Sequence, residues 1–198
     1  MTSDLSLQDA LAARRSVRAF AARAVPLETL QRLVRAAQGA TGAEGQRAAP
    51  SAHALYPLSL RLVAGNVEGL EAGLYEVTPE DAPRLLKAGD HRLALQAAAL
   101  EEQPWVGSAA AVLAFHADME AVTRHFAAQP PPGARGARYV YIEAGAAAQN
   151  ALLQAAAEGL GGVLIAGFED GATSQALGLA PPLAPLLYLC LGWPAPQS

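Results

Sequence analysis

The sequence is poor in the features of secreted, nucleic-acid-binding and membrane-spanning proteins. It has one cysteine in 198 residues, so no disulfide can form within the chain. Charged residues make up only 16%, and a net charge of -4 gives no basic field to attract a nucleic acid backbone. No apolar run reaches membrane-spanning length, and no signal segment opens the chain. We therefore expect a soluble, cytoplasmic protein that binds neither nucleic acid nor membrane.

Several familiar catalytic motifs are also missing. No Gly-x-Gly-x-x-Gly follows a strand pattern, and no Gly-x-x-x-x-Gly-Lys-Ser/Thr occurs, which disfavours Rossmann and P-loop enzymes. The four histidines show neither His-Glu-x-x-His spacing nor a cysteine partner, so we expect no metal site. Without a Gly-x-Ser-x-Gly elbow, nucleophilic hydrolysis is weakly supported.

Apolar residues, many of which are alanine, make up 52% of the chain. We expect one domain that spans residues 1–198. The excess of apolar residues indicates that a further area, such as a subunit interface, is buried. The single cysteine, Cys190, lies in an apolar run and is expected to be a buried thiol.

Hydrophobic periodicity predicts interleaved helices and strands. The antiparallel pairing of two strands on either side of a glycine-rich turn favours an α+β fold over a doubly wound parallel sheet. The predicted helices are 7–14, 27–38, 91–100, 119–128, 138–158 and 174–177, and the predicted strands are 58–64, 73–77, 109–115, 163–168 and 186–191. Residues 39–50 are predicted to be a mobile loop or lid, and residues 129–137 an irregular connection.

The segment 14–20 holds three arginines, Arg14, Arg15 and Arg18, together with Ser16. A guanidinium group donates two parallel hydrogen bonds and stays charged at physiological pH, so such a cluster suits a phosphate group. The same arginines could instead close the first helix near its negative end. The segment by itself leaves both interpretations open.

Four segments in register resemble the nitroreductase family of flavoproteins. They are the arginine segment, the Pro-Ser-x-x-Ala-Leu-Tyr-Pro loop at 50–57, the helix carrying Glu143-Ala144-Gly145 and Gln149-Asn150, and the strand at 161–168. Together they cover nearly the whole chain. The loop, the Gly65–Leu70 turn and the Glu-Ala-Gly stretch are most similar to the SagB-type dehydrogenase branch.

The resemblance implies a nitroreductase-like α+β fold with a mostly antiparallel sheet flanked by helices and a long central helix at a homodimer interface. It also implies FMN as cofactor, NAD(P)H as electron donor and a site built from both chains. The implied phosphate and flavin contacts are Arg14, Arg15, Ser16 and Arg18. Those implied in the loop from the partner are Pro50, Ser51, Ala52 and Ala54, and those in the strand that covers one flavin face are Leu164, Ile165, Ala166 and Gly167.

The chain departs from the family pattern at three places. His53 replaces the glycine of the SagB-type loop and is expected at the pocket rim or pointing outward. Trp193 follows the last strand, where family members often carry a basic residue that completes the phosphate site. Arg138-Tyr139 stands where azoline dehydrogenases have a Lys-Tyr pair; arginine is a poor base, which leaves Tyr139 as the catalytic candidate or a structural anchor.

These observations predict an FMN-dependent oxidoreductase that passes a hydride from NAD(P)H to flavin and on to an electron-poor small molecule of nitro or quinone type. The alternatives are a SagB-type dehydrogenase that oxidises an azoline or related natural product, and a flavin-binding protein without turnover.

Overall fold

A six-stranded antiparallel sheet forms the centre of the computed structural model, which describes residues 5–196. Its strands are β2 (Leu58–Ala64), β4 (Gly73–Val77), β5 (Arg84–Ala88), β6 (Ala111–Asp118), β7 (Gly161–Ile165) and β8 (Leu183–Gly192). Their order across the sheet is β5-β4-β2-β6-β8-β7, so β5 and β7 are the edges. Two short strands, β1 (Val25–Pro26) and β3 (Val67–Glu68), pair in parallel outside this sheet. The α+β prediction is confirmed.

Helices cover both faces of the sheet. They are α1 (Leu7–Ala13), α2 (Leu27–Gln38), α3 (Arg92–Ala98), α4 (Trp105–Ser108), α5 (Met119–His125), α6 (Arg135–Ala157) and α7 (Asp170–Ala176). One core forms where α2, α5 and α6 pack on the sheet, and a second where α3, α4 and α7 pack on the opposite face. In the described part of the chain, no helix is long and apolar enough to cross a membrane.

The close packing of the central helix α6 follows from its alanine content. Ala144, Ala148 and Ala151 are fully buried, and such small side chains let the backbone of α2 approach closely. A bidentate ion pair ties the middle of α2 to the end of α6: Arg32 Nε and Nη2 lie 2.5 and 2.8 Å from the Glu158 carboxylate oxygens. This pair also places a positive charge near the negative end of α6.

Some element boundaries differ from the sequence prediction. Helix α6 begins at Arg135, three residues before the predicted start, and β7 ends at Ile165 instead of 168. The sequence did not predict β5 or α4. In the 39–50 loop, Thr41 N–H donates to the Gln46 carbonyl at 2.7 Å and Ala48 N–H to that of Gly39 at 2.9 Å, so the loop folds back on itself. Cys190 is buried as expected, and burial raises the pKa of its thiol to about 12.

Candidate active site

The arginine segment lies against the edge strand β7. Ser16 pairs in parallel with Gly162, and Val17 N–H donates to the Gly162 carbonyl at 3.0 Å. A Cβ atom on Gly161 would lie 2.6 Å from Val17 Cβ, so only glycine permits this approach. Two segments about 145 residues apart in the sequence are thereby joined, as the resemblance to flavoproteins implied.

A cleft of about 310 Å³ opens between this segment, the end of α6 and the start of β7. Arg14 and Arg15 line one wall, and Leu152 and Gly159–Gly162 line the other. Arg15 Nη1 donates to the carbonyls of Ala12 (2.6 Å) and Arg14 (2.8 Å), so Arg15 closes α1 as the second interpretation held. The half-buried Arg14 makes no side-chain hydrogen bond or ion pair with any residue in 5–196, and its guanidinium is available to an anion.

Arg18 lies over an indole ring that the sequence did not connect with it. Its guanidinium carbon is 5.5 Å from the centre of the Trp105 ring, a cation–π distance. Trp105 opens α4, and its indole nitrogen is buried without a hydrogen-bond partner among the described residues. The only sequence signal was that Pro104 and Trp105 interrupt a helical pattern.

Two side chains, one near the end of strand β7 and one just beyond it, point outward next to the arginine segment. Leu164 and Ala166 are exposed, whereas Val163 and Ile165 point into the core, as expected for a strand with one open face. The Gly167 carbonyl accepts a hydrogen bond from Leu100 N–H at 2.9 Å, which fixes the chain just after β7. Neither Ala166 N–H nor Gly167 N–H donates to another residue of the described chain, so both donors are open to a ligand.

Trp193 occupies the position after β8, and the guanidinium group of Arg23 stacks on its indole ring. Arg23 is 3.9 Å from the centre of the indole ring, and Trp193 Nε1–H donates to the Ala24 carbonyl at 2.9 Å. A Cβ atom on Gly159, which lines the cleft, would lie 3.7 Å from the same ring. Arg23 is thus the basic residue that the fold brings to this position.

The 50–54 loop packs on the other half of α6. Ser51 and Ala52 face Val122, Tyr139 and Glu143 across a crevice that is too narrow to hold a water molecule. Glu143 and Leu152, which borders the arginine cleft, are nine residues apart, or roughly 13 Å along a helix. A single chain therefore does not bring the Pro50, Ser51, Ala52 and Ala54 contacts to Arg14, Ser16 and Arg18.

The backbone of this loop adopts the left-handed conformation at three residues that are not glycine. The φ angles are 57° at His53, 51° at Ala54 and 48° at Tyr56. Ser51 Oγ accepts the Tyr56 N–H at 2.8 Å and closes the loop. Residues with a Cβ atom adopt this conformation at a cost of about 1 kcal/mol each, and such strain is concentrated at functional sites.

A buried carboxyl group stands behind the loop. Glu143 is 3% exposed, and one of its carboxyl oxygens has no hydrogen-bond partner within residues 5–196. Burial raises the pKa of this carboxyl group, against the opposing effects of a hydrogen bond from Ser51 and the charge of Arg47. Glu143 is therefore shielded from water at the base of the strained loop.

The catalytic candidate Tyr139 is half-buried, and its hydroxyl donates to Gln129 Oε1 at 3.0 Å. Gln129 Nε2 lies 3.4 Å from His53 Nε2, and His53 Nδ1 lies 3.1 Å from His125 Nε2. The sequence had singled out Tyr139 and His53 separately. Gln129 and His125 were missed because nothing in the sequence relates them to a loop more than 70 residues away.

Comparison with known proteins agrees with this geometry. The Nitroreductase family model matches residues 11–193. A putative nitroreductase of Methanocaldococcus jannaschii is 35% identical over 192 residues, covering 96% of this chain and 91% of the relative. Among solved structures, a putative nitroreductase from Ralstonia eutropha has a TM-score of 0.81 and 27% identity, covering 100% of this chain and 87% of its own.

Two further structures share the fold. The NADPH:FMN oxidoreductase of Vibrio harveyi, solved with NAD⁺, has a TM-score of 0.67 and 27% identity, covering 96% of this chain and 69% of its own. The Escherichia coli microcin synthetase complex has a TM-score of 0.73, but its 23% identity carries the fold alone. The chain therefore belongs to the nitroreductase family, and membership of that family makes it an oxidoreductase.

Proposed function

We propose that the chain is an FMN-dependent oxidoreductase that acts as a homodimer and transfers a hydride from NAD(P)H to an electron-poor small molecule. The observation that carries this proposal is the pairing of Ser16 with Gly162, which sets the arginine segment beside the open face of β7. The cationic side chains there suit a phosphate group. The uncovered strand and the N–H donors that follow it suit a flat ring system with polar groups along its edge.

The residues around the cleft fit the phosphate end of FMN. Arg14 has no competing partner among the described residues and would hold the phosphate, together with Ser16 and the remaining donors of Arg15. Arg18, held over Trp105, would lie toward the pyrimidine edge of the ring system. A positive charge there favours the reduced flavin, which gains negative charge at N1. Arg23 takes the place of the absent basic residue after β8.

Bound FMN would supply the chemistry of hydride acceptance and hydride donation. The chain would position it through β7: the N–H groups of Ala166 and Gly167 would donate to the ring, and Leu164 would cover one ring face. Ile165, which points into the core, keeps this strand rigid. The protein's contribution is therefore to orient the ring and to leave its opposite face open to the nicotinamide and to the acceptor in turn.

The second half of each site would come from the partner chain. Helix α6 exposes Tyr141 (57%) and Ile142 (62%) on one side, and a Cβ atom on Gly145, one turn further along, would touch nothing within 4 Å. Arg138 and Gln149 are exposed on the same side, so two apolar side chains and a glycine lie between polar groups, an arrangement that suits packing against its own copy. The 50–54 loop at the start of α6 would then reach the partner's arginine cleft.

A visible spectrum of the purified protein is the first test. We expect the absorbance of oxidised flavin, or its appearance on addition of FMN, and bleaching when NADH or NADPH is mixed in without oxygen. The double substitution Arg14→Ala and Arg18→Ala should weaken FMN binding by at least tenfold, because each lost charge-assisted bond is worth about 1.5 kcal/mol or more. Unchanged FMN affinity would show that the phosphate lies elsewhere.

Oxidation of an azoline or related natural product, as in the SagB-type branch, is the second candidate. It is favoured by the chain of hydrogen bonds that runs from Tyr139 to two histidines. These side chains can act as acids or bases, whereas Arg138 is a poor base. An azoline peptide tested with oxygen as acceptor separates the candidates: flavin reduction by the peptide without NAD(P)H would favour the dehydrogenase. Flavin binding without reduction by either donor would indicate a protein without turnover.

A further inference from the structure

The histidines on the 50–54 loop and at the end of α5 form a hydrogen-bonded pair. We propose that His53 and His125 are the proton-transfer groups of this enzyme, giving a proton to the acceptor during its reduction, with Gln129 and Tyr139 as the residues that position them. The proposal rests on the function proposed above, because it needs the 50–54 loop beside the partner's cofactor. It assigns catalytic roles to residues that lie apart from the arginine cleft.

The direction of the hydrogen bonds defines the histidine tautomers. Tyr139 donates to Gln129 Oε1, so the Gln129 amide group faces His53 and donates to its Nε2. His53 must then carry its proton on Nδ1, from which it donates to His125 Nε2 at 3.1 Å. In this arrangement one proton, on His53 Nδ1, lies between the two imidazole rings, and the amide selects the nitrogen that holds it.

The side chains around the pair hold both rings in place. Phe126 lies 4.9 Å from His53 and 4.6 Å from His125, measured between ring centres, and 4.8 Å from Tyr139. His53 keeps this position although its φ of 57° is unfavourable for a residue with a Cβ atom. Both histidines remain exposed, so water can return a proton after each turnover. Histidine titrates near neutral pH, which suits both steps.

The proton balance of the reduction requires such a donor. A quinone that accepts a hydride gains two electrons and one proton and becomes a hydroquinone monoanion. The second proton would come from the imidazolium form of the pair, which takes up a proton on His53 Nε2 when the Gln129 amide releases that nitrogen; this N–H bond breaks as the O–H bond of the neutral hydroquinone forms. Water then reprotonates the pair, and the net reaction consumes one NAD(P)H and one proton per quinone.

Several other charged or titratable groups belong to the elements that pack against this pair. Those on α5, on α6 and in the loop before the pair are Glu120, Arg124, Arg135, Arg138, Tyr139, Glu143 and Arg47. Among them only Tyr139 joins the hydrogen-bonded chain of the pair.

Stopped-flow kinetics on the FMN-loaded full chain tests the proposal. The variants are His53→Asn, since asparagine tolerates a positive φ, and His125→Gln, with His91→Gln on the opposite sheet face as matched control. We expect both pair variants to bleach with NADH like the parent but to reduce a quinone roughly 100-fold more slowly, the usual contribution of a general acid. Tyr139→Phe should shift the pH profile of the quinone step with a smaller loss of rate.

Three outcomes are decisive. A slow quinone step with normal bleaching in the pair variants, and a normal step in His91→Gln, supports the proposal. Quinone reduction at the parent rate in both pair variants overturns it while leaving the proposed function intact. Failure of the parent protein to bind FMN or to bleach overturns both.

Nitrogen-15 NMR of the imidazole rings gives a reading that does not depend on turnover. In the parent chain we expect the nitrogen-15 shifts to identify the His53 tautomer that carries its proton on Nδ1. In His125→Gln, the His53 signals should change because Nδ1–H loses its acceptor. A His53 ring that carries its proton on Nε2 in the parent chain would contradict the pair, even if the kinetic variants were slow.

Discussion

His116 is a histidine that the fold holds away from water. It lies on β6 with 5% of its surface exposed, and its Nδ1 has no hydrogen-bond partner in the described chain. Burial lowers the pKa of its imidazole from 6.5 to about 4, with a further lowering by the charge of Arg61 and an opposing effect of Glu76. The folded protein therefore keeps this ring neutral over a pH range in which the unfolded chain protonates it.

This difference predicts a loss of stability in mild acid. Between about pH 6.5 and pH 4 the unfolded state binds one more proton than the folded state, so the free energy of unfolding falls as the pH falls. From pH 7 to pH 5 the part due to His116 is about 2 kcal/mol. Urea unfolding of the parent chain and of His116→Gln at both pH values should show this loss only in the parent.

The matched control for this prediction is His125→Gln, which changes an exposed histidine. It should lose as much stability as the parent between pH 7 and pH 5. If the curves of stability against pH for the parent and for His116→Gln run parallel, His116 is protonated in the folded state or is hydrated there.

At the scale of residues, the sequence shows which groups are present but only in part what they contact. The cluster of Arg14, Arg15 and Arg18 is visible from composition alone, because a group of arginines in an acidic chain is a local signal. That Arg15 closes α1 was one of the two interpretations of the segment, whereas the position of Arg18 over Trp105 depends on backbone directions that no spacing encodes. The ion pair of Arg32 with Glu158 likewise joins residues 126 positions apart.

At the scale of elements, the approach of the arginine segment to β7 depends on Gly161. The Cβ atom of an alanine there would meet Val17 Cβ at 2.6 Å, and that atom is fixed to the backbone. Gly161→Ala should therefore push the arginine segment away from the strand. We expect FMN affinity, measured by fluorescence quenching, to fall by roughly tenfold or more, equivalent to about 1.4 kcal/mol.

Gly73→Ala is the matched control because its new Cβ atom is crowded to a similar degree. It would lie 2.9 Å from Leu85 Cδ1 and 3.1 Å from the Lys87 carbonyl oxygen, on β4 near the opposite edge of the sheet. It should destabilise the fold and leave FMN affinity unchanged. Equal losses of FMN affinity in both variants would show that the effect arises from general destabilisation.

The sequence predicted best those helices and strands whose apolar residues recur with a clear period. Helices α2 and α6 bury one face each and the first half of β2 alternates between buried and exposed residues, so their periodicity was visible in the sequence. Strand β4 is buried on both faces and was recognised from the glycine-rich turn before it. Strand β5 was missed because it is an edge strand whose residues, apart from the half-buried Leu86, are exposed. The end of β7 was placed too late because the apolar run continues to Phe168, which is buried although it lies beyond the strand.

At the scale of the whole molecule, the arginine cleft and the strained loop lie at different levels along α6. The cleft lies near Leu152, and the loop lies near Glu143. The resemblance implied that both contact one cofactor, but their separation along the helix could only be found from the structure. In the proposed dimer α6 packs on its own copy, and the two-fold axis would bring each loop to the other chain's cleft.

Ile142→Lys tests this arrangement. Ile142 is 62% exposed on the side of α6 that also carries Tyr141, and a lysine there would place two like charges near the two-fold axis of the proposed dimer. Sedimentation velocity should show a dimer for the parent and a monomer for the variant, and the monomer should lose FMN because its cleft lacks the partner's loop. Leu93→Lys on α3, where the leucine is 68% exposed, is the matched control and should remain a dimer with FMN bound. A monomeric Ile142→Lys protein that keeps full FMN affinity would mean that one chain forms the whole cofactor site, and a dimeric one would place the interface on another face.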